Sequence, residues 1–295
     1  MTRNTVRLAM LMALMTMTGC GSGNPVPLAP TPGYLDQQID LGGRSAHVWC
    51  YGQGSPTVIY EPWLGALGES ALPLIIRIGA TMRVCVYDRA NVPGGKSDPA
   101  PGPRSSQAIV DDLRGLLVGA GVAPPYVLVG DSFGAMNAVL FAARYPGEVA
   151  ALALIEPLAP DALTEMLAAM PEPGADETPG VAQTRRRLSG LWSNNSEGID
   201  MAASATDVLA VGSLGRLPML IAQADAPLRD WLPCDGVAHV AIERAWRRQQ
   251  AFYLGLSSRT TLVTLAGGHD LLGDDPDGVS AAIVALVRGS GLARR

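Results

Sequence analysis

The sequence predicts an α/β protein, in which helices pack on both faces of a mostly parallel central sheet. Short apolar or β-branched runs alternate along the chain with longer segments of helical periodicity. Some runs are apolar at every position, as residues 151–155 are, and a strand needs this composition when helices cover both faces of its sheet. With 295 residues, 48% of them hydrophobic and 17% charged, the chain can bury a large core.

The predicted elements follow the order expected of β–α–β units. Because helices lie between most of the strands, parallel pairing through right-handed crossovers is expected. Strands are predicted at residues 46–51, 56–60, 83–87, 126–129, 149–155, 217–223 and 260–265, and helices at 69–78, 106–120, 133–145, 240–253 and 278–288.

Residues 157–216 interrupt the alternation. This segment has no convincing strand pattern, and it contains an acidic, Pro- and Gly-rich stretch at 171–180. An insertion of this kind between two strands of a regular sheet is expected to form a short helical lid. The alternative is a mobile surface loop.

The first 20 residues resemble a bacterial lipoprotein signal peptide. Two arginines precede an apolar stretch at 8–18 that is too short to cross a bilayer, and the stretch ends in a lipobox-like Met17–Cys20. This pattern predicts export to the cell envelope and a membrane tether through lipidated Cys20, followed by a Pro-rich spacer at 21–35. The alternative is an ordinary secretory signal and a soluble secreted or periplasmic protein.

Composition excludes several classes of partner. The net charge of −5 provides no basic field to attract nucleic acid. Three histidines and four cysteines, without a C-x-x-C pair, leave little material for a metal site, so neither a metal nor a cofactor is predicted. Nothing in the sequence indicates an oligomeric state.

A serine lies where the chain is expected to turn sharply. Gly130–Gly134 fits G-x-S-x-G, with a predicted apolar strand before it and a predicted helix after it. A strand–turn–helix of this type lifts the serine hydroxyl above the sheet edge, and the new helix points amide N–H groups at developing negative charge. We therefore predict that Ser132 is a nucleophile; the alternative is a structural serine in a tight turn.

With these features the chain resembles the α/β-hydrolases. The segments 54–59, 83–90 and 126–146 carry the resemblance, which is close over 41–158 and looser over 217–287. It implies an α/β-hydrolase domain at 36–295 and a serine hydrolase acting on an ester or related small acyl substrate. The alternatives are an acyltransferase, which would use the same catalytic triad of serine, histidine and a carboxylate, and a catalytically silent envelope lipoprotein. Asp131, where the family often has His, and an apparent insertion at 91–96 depart from the family and bear on the substrate.

The resemblance assigns the general base to His269. This histidine follows the last predicted strand, where the superfamily carries its base. His47 lies in an early strand, and His239 begins a helical run. Both are interpreted as surface or hydrogen-bonded structural residues.

The third member of the triad is a carboxylate that orients the imidazole. Most relatives carry it where Asp225 ends a strand, and a minority carry it where Glu156 does. We take Asp225 as the first choice and Glu156 as the alternative, and Asp161 and Asp230 remain open.

Backbone N–H groups are expected to form the oxyanion hole. One donor is Phe133, and the other follows the strand at 56–60. Because Pro62 has no N–H, this second donor is Leu64, or Trp63 if the alignment shifts by one residue.

Two further expectations concern the cysteines and the lid. In the family sheet the second and fourth strands are neighbours, and Cys50 and Cys85 fall on those strands, which implies a Cys50–Cys85 disulfide in an oxidising compartment; two buried thiols are the alternative. Apolar lid side chains favour an apolar acyl group in the substrate, unless they only pack the lid onto the body: Leu163, Met166, Leu167 and Met170.

Overall fold

The structure is a computed structural model that describes residues 32–228, 231–232 and 236–291, with the backbone alone at Val237. The predicted signal peptide with Cys20, most of the predicted spacer, Asp230 and Cys234 lie outside the described residues.

One sheet runs through the described part of the chain. Its eight strands are β1 (Leu35–Asp40), β2 (Ser45–Tyr51), β3 (Thr57–Glu61), β4 (Val84–Tyr87), β5 (Tyr126–Asp131), β6 (Val149–Ile155), β7 (Met219–Ala224) and β8 (Thr260–Leu265). They lie in the order β1-β2-β4-β3-β5-β6-β7-β8. The pairs β1–β2 and β2–β4 are antiparallel, and all the others are parallel. The predicted α/β architecture is confirmed.

Helices cover the two faces of this sheet. The α-helices are α1 (Leu72–Ile78), α2 (Ser106–Gly119), α3 (Gly134–Arg144), α4 (Ala162–Ala168), α5 (Pro179–Ser193), α6 (Met201–Leu209), α7 (Gly236–Leu254), the single turn α8 (Leu271–Asp274) and α9 (Pro276–Gly289). Helices α1 and α9 pack together against one face, and α2 and α3 pack together against the other. The central strands β3 and β5 are buried at every position, as strands covered on both faces must be.

Strand β1 is absent from the sequence prediction. Its residues, LDQQID, are mostly polar and exposed because β1 forms the edge of the sheet and pairs with β2 alone. A strand at that position buries too little apolar surface to leave a periodic signal. Helix α7 also begins at Gly236, four residues before the predicted helix.

The lid segment contains three helices, α4, α5 and α6, between β6 and β7. Thr178 and Asp200 cap α5 and α6 by accepting backbone N–H groups of the first turns. None of the helices described here has the length and apolar character needed to cross a bilayer.

Cys50 and Cys85 lie directly opposite each other on the neighbouring strands β2 and β4, and they form a disulfide. Both are buried in the core. The bond joins the antiparallel edge of the sheet to its parallel centre.

Candidate active site

Ser132 lies at the turn between β5 and α3. Its φ of +49° is in the left-handed region, which a non-glycine residue adopts only when its surroundings hold it there. The surrounding hydrogen bonds do so, because Ser132 N donates to Ile155 O at 2.9 Å and Ser132 O accepts from Leu158 N at 3.0 Å. Side chains at Gly130 and Gly134 would overlap backbone atoms of α3 and of Glu61, respectively, so both glycines of the motif are sterically required.

His269 reaches this turn from the loop after β8. Its Nε2 lies 3.0 Å from Ser132 Oγ, which is hydrogen-bond distance. The two residues are separated by 137 positions in the sequence and are brought together because β5 and β8 end at the same edge of the sheet. The described chain therefore places the predicted nucleophile and the predicted base in direct contact.

The structure corrects the first choice for the carboxylate. Asp225 Oδ1 accepts the Gly267 N–H at 3.0 Å, and this contact turns the side chain to the loop backbone rather than to the imidazole. Glu156, the alternative, is fully buried, and its Oε2 lies 3.8 Å from His269 Nδ1. It is the carboxylate found against His269 in the described residues. Asp161 is the residue before α4, and its side chain makes no hydrogen bond or ion pair with Ser132 or His269 in the described part of the chain.

Glu156 is itself held in place by two donors. Its Oε1 accepts the Ala224 N–H at the end of β7, and its Oε2 accepts the Trp246 indole N–H at 2.9 Å. The remaining separation to His269 Nδ1 is longer than a hydrogen bond, and Nδ1 has no other partner in the described part of the chain. Catalytic hydrogen bonds of free enzymes are often long in this way and shorten when substrate is bound.

The loop after β3 approaches the same turn. Leu64 and Phe133 line one cavity with Ser132, and neither backbone N–H has an acceptor among the described residues. Two such amides beside a serine hydroxyl are what an oxyanion hole requires. Trp63, the second choice for the donor, lines the cavity as well.

Comparison with known proteins agrees with the fold. The family model for the alpha/beta hydrolase fold matches residues 71–203, a range that includes the turn with Ser132. The chain has the α/β-hydrolase fold. It is 24% identical, over 79% of its length and 83% of the relative's, to the uncharacterized protein YqjL of Bacillus subtilis (strain 168).

Two solved structures share the hydrolase fold. An esterase from Thermogutta terrifontis is 19% identical and matches with a TM-score of 0.56, over 87% of this chain and 99% of that one. The enol-lactonase from Burkholderia xenovorans LB400 is 16% identical and also has a TM-score of 0.56, over 85% of this chain and 100% of that one. At these identities the likeness shows the fold.

The residue that precedes the serine is Asp131. Its carboxyl is buried and accepts the Tyr60 hydroxyl at 2.8 Å. Burial raises the pKa of Asp131 to about 8; the charges of Asp270 and Glu156 raise it too, and the Tyr60 hydrogen bond opposes them. The carboxyl next to Ser132 is therefore mostly protonated at neutral pH.

A cavity of about 450 Å³ opens above Ser132 and His269. Its walls are mainly apolar, and the lid supplies part of them through Leu163 and Leu191. Arg187 of α5 is the cationic side chain on the lid side of this cavity. Of the four apolar lid residues predicted to contact substrate, Leu163 lines the cavity, whereas Met166, Leu167 and Met170 pack into or against the core.

The other predicted histidines have structural surroundings. His47 is buried between Asp36 and Asp88, with its Nε2 and Nδ1 at 2.8 and 3.3 Å from their carboxylates. The hydrogen bond with Asp88 raises the pKa of His47, and burial opposes this effect. His239 lies on α7 at 3.6 Å from Glu243. Neither lines the cavity.

Sequence reasoning missed the aromatic residues around the base. The Trp231 ring stacks on the His269 ring with centroids 4.2 Å apart, and Trp246 meets it edge-on at 5.2 Å. Both lie outside the segments that carry the close family likeness, and no motif marks them. They fix the plane of the imidazole, and an indole face also stabilises an imidazolium.

A buried ionic cluster lies under the loop after β3 and was missed as well. Arg89 contacts Glu61 and Glu197, and all three side chains are almost completely buried. Burial disfavours the charge of Arg89, but Glu197 and Glu61 outweigh it and hold the pKa of Arg89 above its ordinary value. Only the position of Arg89, just after β4 in a segment that resembles the family, gave any signal in the sequence.

Proposed function

We propose that the protein is a serine hydrolase that cleaves a carboxylic ester or a related acyl compound through an acyl-enzyme on Ser132. The single observation that carries this proposal is the 3.0 Å contact between Ser132 Oγ and His269 Nε2 on a left-handed turn. A buried structural serine needs neither a strained backbone nor a basic partner.

In this mechanism His269 accepts the proton of Ser132 as Oγ attacks the acyl carbon. The carbonyl oxygen becomes an oxyanion, to which Phe133 N and Leu64 N donate hydrogen bonds. His269 then protonates the leaving alcohol, and the acyl-enzyme remains. Water deprotonated by His269 attacks the acyl carbon and releases the acid, and Ser132 recovers its proton. Glu156 stabilises the imidazolium in both halves of the reaction.

The cavity supports an apolar acyl or alcohol group of moderate size. Its volume of about 450 Å³ lies within the range of small-molecule sites. Four leucines and two tryptophans are among its lining residues, and removal of apolar substrate surface from water against them favours binding.

A panel of p-nitrophenyl esters with acyl chains of increasing length tests this function on the full chain. We expect kcat/KM to rise with chain length until the cavity is filled, and Ser132→Ala and His269→Ala to abolish turnover. Ser280→Ala is the matched control, because Ser280 is also buried but lies in α9, away from the cavity. Turnover that persists in Ser132→Ala would refute the proposal.

We further propose that the protein is exported and tethered to a membrane of the cell envelope through lipidated Cys20. The lipobox-like sequence ending at Cys20 and the Pro-rich stretch after it support this location. Fractionation of expressing bacterial cells tests it. The wild type should accompany membranes and Cys20→Ser should not, and a wild type found only in soluble fractions would contradict it.

A further inference from the structure

The three-residue cluster of Arg89, Glu61 and Glu197, here called the clamp, contacts the loop that carries the second oxyanion donor. Arg89 Nη1 donates to Glu61 Oε1 at 3.0 Å and to Pro62 O at 2.7 Å. Its Nη2 donates to Trp63 O at 2.8 Å and to Glu197 Oε1 at 2.6 Å, and its Nε donates to Glu197 Oε2 at 2.8 Å. These contacts use all five N–H donors of the guanidinium.

The contact with Trp63 O has a direct consequence for Leu64. The Trp63 carbonyl and the Leu64 N–H belong to one planar trans peptide, so they point in opposite directions. Because Arg89 holds the carbonyl on the buried side, the Leu64 N–H is directed away from Arg89. Leu64 lines the cavity, and its N–H has no acceptor among the described residues.

The lid contributes the other half of this arrangement. Glu197 lies between α5 and α6, and its Oε1 also accepts the Gly65 N–H. The peptides on both sides of Leu64 are therefore held, one by Arg89 and the other by Glu197. The Arg89 guanidinium also lies over the Phe133 ring, with 5.6 Å from Cζ to the centroid, so the clamp contacts the residue that carries the first donor.

Glu61 connects the clamp to the serine turn. It accepts from Asn137 Nδ2 of α3 at 2.9 Å and from the Tyr87 hydroxyl. Its backbone carbonyl lies so close to Gly134 that only glycine fits there. The clamp thus has fixed contacts with α3, with the loop after β3 and with the lid.

We propose that Arg89 and Glu197 are positioning residues that orient the Leu64 N–H toward the oxyanion, so that the lid segment must be in place for the oxyanion hole to be complete. This inference rests on the proposed serine hydrolase function. Neither residue touches the reacting atoms. Their contribution should therefore appear in the transition state, when charge develops on the carbonyl oxygen, and not in substrate binding.

The test compares Glu197→Gln and Arg89→Lys with the wild type on the p-nitrophenyl ester that the wild type hydrolyses fastest. Loss of one oxyanion donor lowers kcat by ~10²–10³-fold, so we expect kcat and kcat/KM to fall together by up to ~10²-fold while KM stays nearly constant. The pH profile should keep its shape, because Ser132 and His269 are untouched. Glu177→Gln is the matched control, since it removes an ion pair with Arg185 within the same lid but away from the loop.

A second readout separates positioning from a general loss of structure. Sulfur accepts hydrogen bonds more weakly than oxygen, so a thionoester gains less than the matching ester from an intact oxyanion hole. We expect the ester-to-thionoester rate ratio to fall in both clamp variants and to stay at the wild-type value in Glu177→Gln. Glu197→Asp, which keeps the charge but shortens the reach by one methylene, serves if the neutral variant does not fold.

The outcomes distinguish the two proposals. If the wild type hydrolyses no ester, the proposed function fails. If the wild type is active and the folded clamp variants keep its kcat and its ester-to-thionoester ratio, the positioning role is refuted while the hydrolase function stands. A rise in KM at unchanged kcat would also refute it, because such a result indicates a role in substrate binding.

Discussion

Two neighbouring strands, β5 and β6, end at the same edge of the sheet in similar turns with different origins. Ser132 follows β5 with φ of +49°, and Glu156 follows β6 with φ of +40°. The turns are hydrogen-bonded to each other, since Ser132 N donates to the carbonyl of Ile155 at the end of β6. Both residues are non-glycine residues in a strained conformation, which is a frequent mark of functional positions.

The difference lies in what the local sequence shows of each turn. Gly130 and Gly134 supply the space that the Ser132 turn needs, and they form a recognisable motif around the serine. No motif surrounds Glu156, whose carboxylate is oriented by distant elements: the Ala224 N–H from β7 and the Trp246 indole from α7. The comparison teaches that a local motif marks the nucleophile, whereas only tertiary contacts mark the carboxylate.

The largest expected effect distinguishes the two carboxylates. Glu156→Gln keeps the shape of the side chain but removes the charge that stabilises the imidazolium, so we expect kcat to fall by ~10³-fold or more. Asp225→Asn should change kcat little, because the side-chain oxygen can still accept the Gly267 N–H. Ester hydrolysis at fixed pH measures both, and a larger loss in Asp225→Asn would reverse the assignment.

The next prediction tests whether local sterics hold the serine turn. Gly134→Ala places a methyl group against the Glu61 carbonyl, and the backbone must shift, so we expect a loss of roughly 3 kcal/mol of unfolding free energy together with the activity. Gly190→Ala in α5 has open space and should stabilise the protein by about 0.5–1 kcal/mol. Urea unfolding measures both. Equal stability of the two variants would show that the turn tolerates a side chain.

The disulfide offers a stability effect without an effect on the site. Removal of a cross-link that closes a loop with sequence separation 35 lowers the unfolding free energy by about 3 to 4 kcal/mol. We expect this loss in Cys50→Ala/Cys85→Ala and unchanged kcat at 25 °C, because neither residue lines the cavity. The control is the wild type unfolded in the presence of reductant, because reduction removes the cross-link but keeps the two buried sulfur atoms. A fall in kcat of the folded double variant would contradict this expectation and would show that the disulfide affects the active site.

The smallest expected effect concerns pH and Asp131. Because the pKa of Asp131 is raised to about 8, chiefly by burial, the carboxyl ionises above that pH and places a negative charge beside the developing oxyanion. We expect kcat of the wild type to fall several-fold between pH 7 and pH 9, and Asp131→Asn to lack this decline. If kcat of the wild type and of Asp131→Asn changed identically between pH 7 and pH 9, ionisation of Asp131 would not be the cause of the decline.

The same group affects stability with a definite sign. Between its ordinary pKa of 3.8 and about 8, the folded protein holds a proton that the unfolded chain releases, so stability falls as pH rises through this range. Asp131→Asn should therefore melt at a higher temperature than the wild type at pH 7, with a smaller difference at pH 4. Thermal unfolding at the two pH values checks it.

Sequence patterns predicted the parallel core, because its strands are apolar runs separated by helices. They also predicted the contact between Ser132 and His269, because each residue directly follows a predicted strand. Apolar or β-branched runs identified β2 to β8, and the order of the strands brings the ends of β5 and β8 to one edge. The polar edge strand β1 left no apolar pattern and was not predicted.

The carboxylate could not be predicted in this way. Asp225 and Glu156 both end apolar strands, and the outcome depends on which donors compete for each side chain. The Asp225 carboxylate accepts the Gly267 N–H, whereas the Glu156 carboxylate is held beside the imidazole by hydrogen bonds from Ala224 N and the Trp246 indole. Contacts of this kind are made between elements far apart in the sequence, and no local spacing records them.

Covalent labelling with a fluorophosphonate, located by mass spectrometry, tests the central claim most directly. The reagent modifies a serine only when a neighbouring base activates it and an oxyanion hole accepts the phosphonyl oxygen. A single adduct on Ser132 is predicted, retained in Ser280→Ala and absent in Ser132→Ala. No adduct on the wild type, or one that persists in Ser132→Ala, would contradict the assignment of Ser132 as the nucleophile.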